Sequence, residues 1–408
     1  MHLFYNFAIS IYGFLIKFAA LFNEKANKWV KGRADLLFSL PHNENRELSI
    51  NWFHCASLGE FEQGRPLIEK IKKEYPNEKI LLTFYSPSGY EIRKNYELAD
   101  WVTYLPLDLK SKMRPFIHQI NAKRVFIIKY ELWFNMLSIL AEKKTPTYLI
   151  SGKFRAEQVF FKPLGTWFLK HLKQSFTHFF VQDEFSQSLL LKNNITQSSI
   201  AGDTRIDRVL ALAKNPLKFN HLEKILQGKK VIVAGSTWQK ENDFLFEIKN
   251  RLSNNTVLII APHDVKDKNI EALQNQFPEA SLWTNIEHEK TSPKIILINC
   301  IGVLSSLYQY ANVAIIGGGF GAGIHNILEP ACFGLPVLFG PKHQKFDEAR
   351  AMINQGSGFC FTNFNEFKNI IELLINDEEK RNTIASIQKT YLNSQAGATE
   401  FIMSKINF

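Results

Sequence analysis

Glu60 closes the run His54-Cys55-Ala56-Ser57-Leu58-Gly59-Glu60, directly after an apolar stretch, Leu48 to His54, that reads as a strand. Gly59 permits a tight turn there, and a carboxylate beyond a strand end can accept a proton from a substrate hydroxyl. At the start of a helix the same carboxylate would instead complement the helix dipole. Glu131, in Lys129-Tyr130-Glu131-Leu132-Trp133, follows a second strand-like run, Arg124 to Ile128. It could orient a substrate or a loop, or pair with a nearby Lys or Arg. Ser236-Thr237-Trp238 follows Val231 to Ala234 with Gly235 at the turn; hydroxyls entering a helix bind a phosphate or cap that helix. His263, in Pro262-His263-Asp264, could contact a phosphate or base, or stand as a surface or capping group. Arg205, in Gly202-Asp203-Thr204-Arg205-Ile206-Asp207, could reach an anionic ligand or form an interdomain salt bridge.

The densest signal is Gly317 to Gly340, GGGFGAGIHNILEPACFGLPVLFG. An apolar strand, Val313 to Ile316, runs into a glycine-rich turn. A short helix opens near Asn326 and ends at Gly334-Leu335-Pro336, before a second strand, Val337 to Phe339. Glycines allow close approach of backbone to ligand, and a helix N-terminus offers N–H groups to phosphate. Asn326 and Glu329 in the first turn could face a ribose or phosphate, and Lys342 and His343 could close over the same ligand. The spacing is not G-x-G-x-x-G, and a tight strand–helix turn without a ligand accounts for it equally. H-E-x-x-H, G-x-x-x-x-G-K-[ST] and G-x-S-x-G are all missing from the sequence, which removes the signatures of a zinc protease, a P-loop NTPase and a serine hydrolase.

These residues need a scaffold of alternating strands and helices. Strand-like runs at Leu48–His54, Ile80–Phe84, Val102–Leu105, Arg124–Ile128, Thr147–Ile150 and His178–Val181 form one set, with helices at Arg65–Glu74 and Glu184–Lys192. A second set comprises Val231–Ala234, Thr256–Ala261, Ile295–Ile298, Val313–Ile316 and Val337–Phe339, with helices at Asn242–Leu252 and Glu366–Leu374. Such alternation predicts parallel sheets with helices on both faces, and ligands beyond the carboxyl ends of the strands. The α/β chain of 408 residues then divides into an N-terminal segment at 1–34, Rossmann-like domains at 35–205 and 229–408, and a linker at 206–228 within the polar stretch Ala201 to Gln227.

The net charge of +10 favours an acidic partner, yet the basic residues are dispersed, so a nucleic-acid arm is unsupported. Cys55, Cys300, Cys332 and Cys360 lie far apart, which fits reduced thiols rather than a zinc site or a disulfide framework. Leu3 to Phe22, LFYNFAISIYGFLIKFAALF, has the length of a membrane span of about 20 residues. Asn6, Ser10 and Lys17 interrupt it, and Lys25, Lys28, Lys31 and Arg33 follow. A spanning anchor, an interfacial helix with Lys17 snorkelling, and a buried helix are the three readings.

Taken in order, the motifs resemble those of the 3-deoxy-D-manno-octulosonic acid (Kdo) transferases of lipopolysaccharide assembly, over nearly the whole chain. His54 to Glu60 resembles H-A-x-S-x-G-E, Thr83 to Gly89 resembles T-x-T-x-T-G, and Tyr130 to Asn135 resembles E-T-E-L-W-P-N. Gly202 to Asp207 resembles G-N-x-K-x-D, and Ala234 to Trp238 resembles A-S-T-H/W. The nearest match joins His325–Pro330 and Gly334–Pro341 to H-N-x-L-E-P-A-x-x-G-x-P-V-x-x-G-P. Lys129 stands where the family has a Glu, Phe134 replaces a Pro, and Pro262-His263-Asp264 lacks the Arg of P-R-H.

The resemblance implies a metal-independent, inverting glycosyltransferase without cofactor, built of two Rossmann-like domains facing across a cleft (the GT-B type), with an apolar N-terminal helix. It implies CMP-Kdo as donor and a lipid A precursor as acceptor, lipopolysaccharide core biosynthesis as the setting, and an anionic membrane surface as partner. The implied place is the cytoplasmic face of the inner membrane. Glu60 would be the general base, and Ser57 and Glu131 would orient the acceptor. Ser236, Thr237, His263, Gly318, Asn326, Glu329 and Arg205 would bind the donor, Arg205 compensating for the missing Arg. A transferase using a UDP-sugar, or a silent membrane-bound scaffold on the same fold, are the alternatives.

Overall fold

The structure, a computed structural model, describes residues 2–289 and 292–408. The chain forms two compact units: Met1–Asp207 together with Ala396–Phe408, and Arg208–Gln395.

The first unit holds a parallel seven-stranded sheet of β1 (Ile50–Cys55), β2 (Lys79–Phe84), β3 (Trp101–Tyr104), β4 (Arg124–Ile128), β5 (Thr147–Gly152), β6 (His178–Val181) and β7 (Ser198–Ile200). Its order is β3-β2-β1-β4-β5-β6-β7. Every residue of β1 is buried, because successive side chains enter opposite faces and both faces are covered. Trp52 joins Leu81, Val125 and Phe116 on one side. Phe53 joins Leu82, Phe126 and Ile402 on the other, with Phe61, Leu67 and Ile71 of the helix Leu58–Glu74.

The second sheet comprises β8 (Lys230–Thr237), β9 (Thr256–Pro262), β10 (Ser281–Leu282), β11 (Ile295–Leu297), β12 (Val313–Ile316), β13 (Val337–Phe339) and β14 (Gly358–Cys360). It is also parallel and seven-stranded, in the order β10-β11-β9-β8-β12-β13-β14. Ile232, Leu258, Ile315 and Leu338 pack there against Phe244, Leu245 and Ile371. Two doubly wound parallel sheets are the fold class expected.

Three expectations change. Ala201 to Gln227, read as a polar linker, carries helices Thr204–Lys214 and Asn220–Leu226, whose apolar residues Ile206, Val209, Leu222 and Leu226 are buried. The second unit does not run to residue 408. Helix Ala398–Lys405 packs on the first unit, with Asp207 accepting bonds from the N–H groups of Gly397 and Thr399, each at 2.6 Å. Buried Arg124 donates to the carbonyl of Asn407 through Nε at 2.8 Å, which anchors the same segment.

The third concerns the N-terminus. Helix α1 (His2–Ala19) is followed by α2 (Glu24–Lys31). No helix among the described residues is long and apolar enough to cross a membrane, so the spanning reading is not sustained. A fully buried helix does not fit either, since Leu3, Phe4, Phe7, Phe14, Leu15 and Phe18 are exposed. One side of α1 is tied down by polar groups. Tyr5 donates its hydroxyl to Asp108 Oδ2 at 2.7 Å, and Asn135 Nδ2 donates to Asn6 Oδ1 at 2.8 Å. Asp108 also accepts the N–H groups of Asn135 and Met136, both at 2.8 Å, and so caps the helix Phe134–Glu142 from another segment. Asp108→Ala strands two helix N–H groups and unties α1. Unfolding stability should fall by about 2–4 kcal/mol. A denaturant titration, with limited proteolysis of the first residues, reads both effects.

Candidate active site

In an open parallel sheet the crevice opens where strand order reverses, beyond the carboxyl ends. In the first unit that point lies between β1 and β4. The segments leaving these strands carry Ser57 with Glu60, and Lys129 with Glu131.

Ser57 is the N-cap of the helix Leu58–Glu74, which opens earlier than its apolar periodicity indicates; its hydroxyl makes no cap bond. Glu60, in the first turn, accepts the N–H of Ala56. Burial, and then the negative charge of Glu131, push its carboxyl from the ordinary 4.5 up to about 7, against the pull of the Ala56 N–H and of Lys129. The Lys that replaces a family Glu therefore acts on Glu60 as a cation.

Glu131 is oriented rather than ion-paired to Lys or Arg in these contacts. Its Oε2 accepts Trp133 Nε1 at 2.7 Å and lies 3.4 Å from His54 Nε2. His54 is fully buried, with Nδ1 2.9 Å from Thr83 Oγ1, which accepts Trp52 Nε1 at 2.7 Å. Trp52 can only donate. Thr83 Oγ1 donates to the Phe53 carbonyl at 3.3 Å, so Trp52, Thr83, His54 and Glu131 form one buried network. Two carboxylates, one raised and one held by donors, suit base and orienting roles. Lys129 and Ser151, at the ends of β4 and β5, have positive φ of 60° and 53°, a strain that concentrates at functional sites.

Arg205 takes the salt-bridge reading, though within its own unit. Its guanidinium holds Asp203 through Nε at 2.9 Å and one terminal nitrogen at 2.6 Å.

In the second unit the order reverses between β8 and β12. At the end of β8 the chain turns through Ser236, at φ 53°, and Thr237 towards the helix Gln239–Ile248. The Thr237 hydroxyl is buried and has no hydrogen-bond partner among the described residues. Such an atom beside a helix N-terminus suits an anion. The glycines beyond β12 have a packing cause first. A Cβ on Gly317 would stand 2.1 Å from the Ser236 carbonyl oxygen, and one on Gly319 would stand 2.5 Å from the backbone of Gly340.

Gly318 does not offer its N–H outward. That group donates to Glu241 Oε1 at 3.0 Å, while Glu241 Oε2 accepts the Trp238 N–H at 3.1 Å. Glu241 was not singled out from the sequence. Glu241 thus closes the Trp238 N-cap from inside the helix, while its other oxygen reaches a partner 77 residues away. Lys342 adds another tie, with Nζ 2.7 Å from the Gly321 carbonyl. Glu241→Gln places an amide NH2 against backbone donors. We expect it to cost about 2–3 kcal/mol in an unfolding titration, with Glu241→Asp intermediate.

Asn326 and Glu329 contact one another at the start of the loop's helix. The helix there is four residues long, Leu328–Ala331. Asn326 Oδ1 accepts the Leu328 N–H at 3.1 Å, and its Nδ2 donates to Glu329 Oε1 at 3.1 Å. Asn326 thus caps, and both residues steady one another beside the loop.

His263 is brought into a three-ring stack. It lies 4.7 Å from Trp238 and 4.4 Å from His325, and Trp238 Nε1 donates to His325 Nε2 at 3.0 Å. Burial, and then His263, lower the His325 pKa to about 4. Burial lowers that of His263 as well. Near neutral pH the stack is an uncharged aromatic surface. Trp238 and His325 both lie inside the quoted motifs, but their stacking could not be read from spacing.

Residues 31–208 match the family model described as 3-Deoxy-D-manno-octulosonic-acid transferase (kdotransferase). The chain is 28% identical over 350 residues to a 3-deoxy-D-manno-octulosonic acid transferase of Chlamydophila psittaci, covering 83% of this chain and 80% of that protein. It is 27% identical over 349 residues to a bifunctional glycosyltransferase/methyltransferase of Fusobacterium nucleatum, covering 82% of this chain and 54% of that longer protein. In fold it resembles the UDP-GlcNAc 2-epimerase of Neisseria meningitidis, solved with UDP-GlcNAc, at a TM-score of 0.60 and 14% identity, over 87% of this chain and 98% of that one. The fold, the motifs and these relatives define a glycosyltransferase. Within that class, residues 31–208 match the Kdo transferase family, and the chain is similar to Kdo transferases over most of its length.

Proposed function

We propose that this protein transfers Kdo from CMP-Kdo to a lipid A precursor with inversion, Glu60 serving as general base. The observation that carries the reading is the Glu60 carboxyl at the β1/β4 switch point, raised to about 7 and set beside the donor-held Glu131. An acid with that pKa is ionised often enough near neutrality and basic enough to take a hydroxyl proton. As the acceptor oxygen bonds to the anomeric carbon, the bond from that carbon to the CMP phosphate breaks and the hydroxyl proton passes to Glu60. The leaving phosphate gains a second negative charge. Ser236, Thr237 and the first N–H groups of the helix Gln239–Ile248 are suited to stabilise it. The stacked Trp238, His263 and His325 offer a neutral face to the base or sugar. Asn326, Glu329, Gly318 and Glu241 act through the shape of the loop.

The exposed apolar face of α1, with Lys17, Lys25 and Lys31 nearby, suits a helix lying in an anionic interface. The inner membrane's cytoplasmic face is the setting we propose.

The test is CMP release by purified full-length protein, with mass analysis of the lipid. Release is expected only when CMP-Kdo and lipid A precursor are both present, with the lipid gaining whole Kdo units. No turnover with that pair, together with thermal stabilisation by UDP but not CMP, would replace the donor assignment.

A further inference from the structure

A cavity of the first unit lies between α1, α2 and the turn after β2. Its volume is about 320 Å³, and Tyr12, Ile16, Lys25, Trp29, Tyr85 and Pro87 are among the residues lining it. The lining is largely apolar, yet two features call for an anion. Trp29 is only 8% exposed, and its indole N–H finds no hydrogen-bond partner among the described residues. A buried donor left unpaired is costly unless a ligand or water meets it.

The second feature is Arg33, behind the aromatic wall. Its guanidinium lies 3.8 Å from the centroid of Trp29 and 5.0 Å from that of Tyr85. It donates to the carbonyls of Leu105, Trp29 and Tyr85 at 2.7, 3.1 and 2.8 Å. No carboxylate pairs with it among the described residues, nor with Lys25 at the cavity edge. The cavity therefore combines uncompensated positive charge with apolar walls.

Its position gives the ligand a direction. The Tyr85 ring that lines the cavity stacks on Trp133 at 4.7 Å, and Trp133 holds Glu131. Ile11 and Leu15, each next in sequence to the lining residues Tyr12 and Ile16, are exposed on α1. One wall thus borders the acceptor carboxylates and another the surface where acyl chains would lie.

We propose that this cavity binds a phosphate of the acylated acceptor lipid. Lys25 and the Trp29 N–H meet the phosphate, and Tyr12, Ile16 and Tyr85 meet the adjoining acyl methylenes. This rests on the acceptor reading above, and it names residues that the motifs do not contain.

The test is flotation of full-length protein with phosphatidylcholine vesicles. Separate vesicles carry lipid A precursor, the same lipid stripped of phosphate, or phosphatidylglycerol. Wild type should bind the phosphorylated precursor about tenfold more tightly than the stripped lipid, the order of one charge-assisted contact. Lys25→Glu, at an exposed position, and Trp29→Phe should each abolish that preference while leaving the KM for CMP-Kdo unchanged. Variants that keep the wild-type preference would overturn the proposal. Equal, Lys25-dependent binding of phosphatidylglycerol would overturn the acceptor assignment in favour of a general phospholipid site. Lys25-dependent preference without any Kdo transfer would support the cavity while sinking the proposed reaction.

Discussion

Glu60→Gln should lower Kdo transfer by about a hundred- to ten-thousand-fold while leaving CMP-Kdo affinity within twofold of wild type. Gln keeps the volume and an acceptor for the Ala56 N–H, but it cannot take a proton. Isothermal titration with donor and a single-turnover transfer assay separate the two quantities. Full transfer by the variant would remove Glu60 as base.

The wild-type pH profile carries the same claim. A base must be ionised, and burial followed by the charge of Glu131 puts the Glu60 carboxyl at about 7. Transfer should rise with pH and reach half its limit near pH 7; a profile flat from pH 5.5 upward contradicts it. Stability moves the opposite way. The folded pKa lies above the unfolded value near 4.5, so the native state holds the extra proton between them. Unfolding stability attributable to Glu60 therefore declines from about pH 4.5 to about pH 7 and is level above. Glu60→Gln relieves that cost, and the inactive variant should melt higher than wild type at pH 8.

Gly317→Ala has the second large effect. Its methyl would fall 2.1 Å from the Ser236 carbonyl oxygen and 2.7 Å from Thr237 Cα. Those are backbone atoms at a sheet end and cannot rotate aside. Separating β8 from β12 should cost about 1–3 kcal/mol or more, and with the displaced Thr237 hydroxyl CMP binding should be lost. Gly321→Ala is the control. Its nearest neighbour, the Gly318 carbonyl oxygen, lies at an ordinary 3.5 Å, so its effect should stay within about 0.5 kcal/mol. Nucleotide binding by calorimetry and thermal melts compare the two.

Strands with continuous apolar runs were legible to the residue: Arg124–Ile128, Val313–Ile316 and Val337–Phe339 have the bounds their hydropathy indicates. Burial on both faces favours apolar residues along such a run. Ser198–Ile200 was not legible, because an edge strand of polar composition is held by backbone pairing to β6 rather than by apolar character. The same limit governs the site. Glu60 and Glu131 could be singled out because they follow strands whose ends meet at the switch point. Glu241 was missed because the backbone it fixes is remote in sequence. The glycines were read as making room for a ligand, whereas at Gly317 and Gly319 they first make room for neighbouring backbone.

The return of Ala396–Phe408 to the first unit bears on how the protein is made. The second unit is an insertion in the first, complete in sequence between Arg208 and Gln395. A ribosome releases every residue of the second unit before the first can acquire Ile402, Met403 and Ile406, which pack with Phe53 and Phe126. The unit that begins first in synthesis is therefore the last to close its core. Until that segment has emerged, the sheet bearing Glu60 has one apolar face incompletely covered.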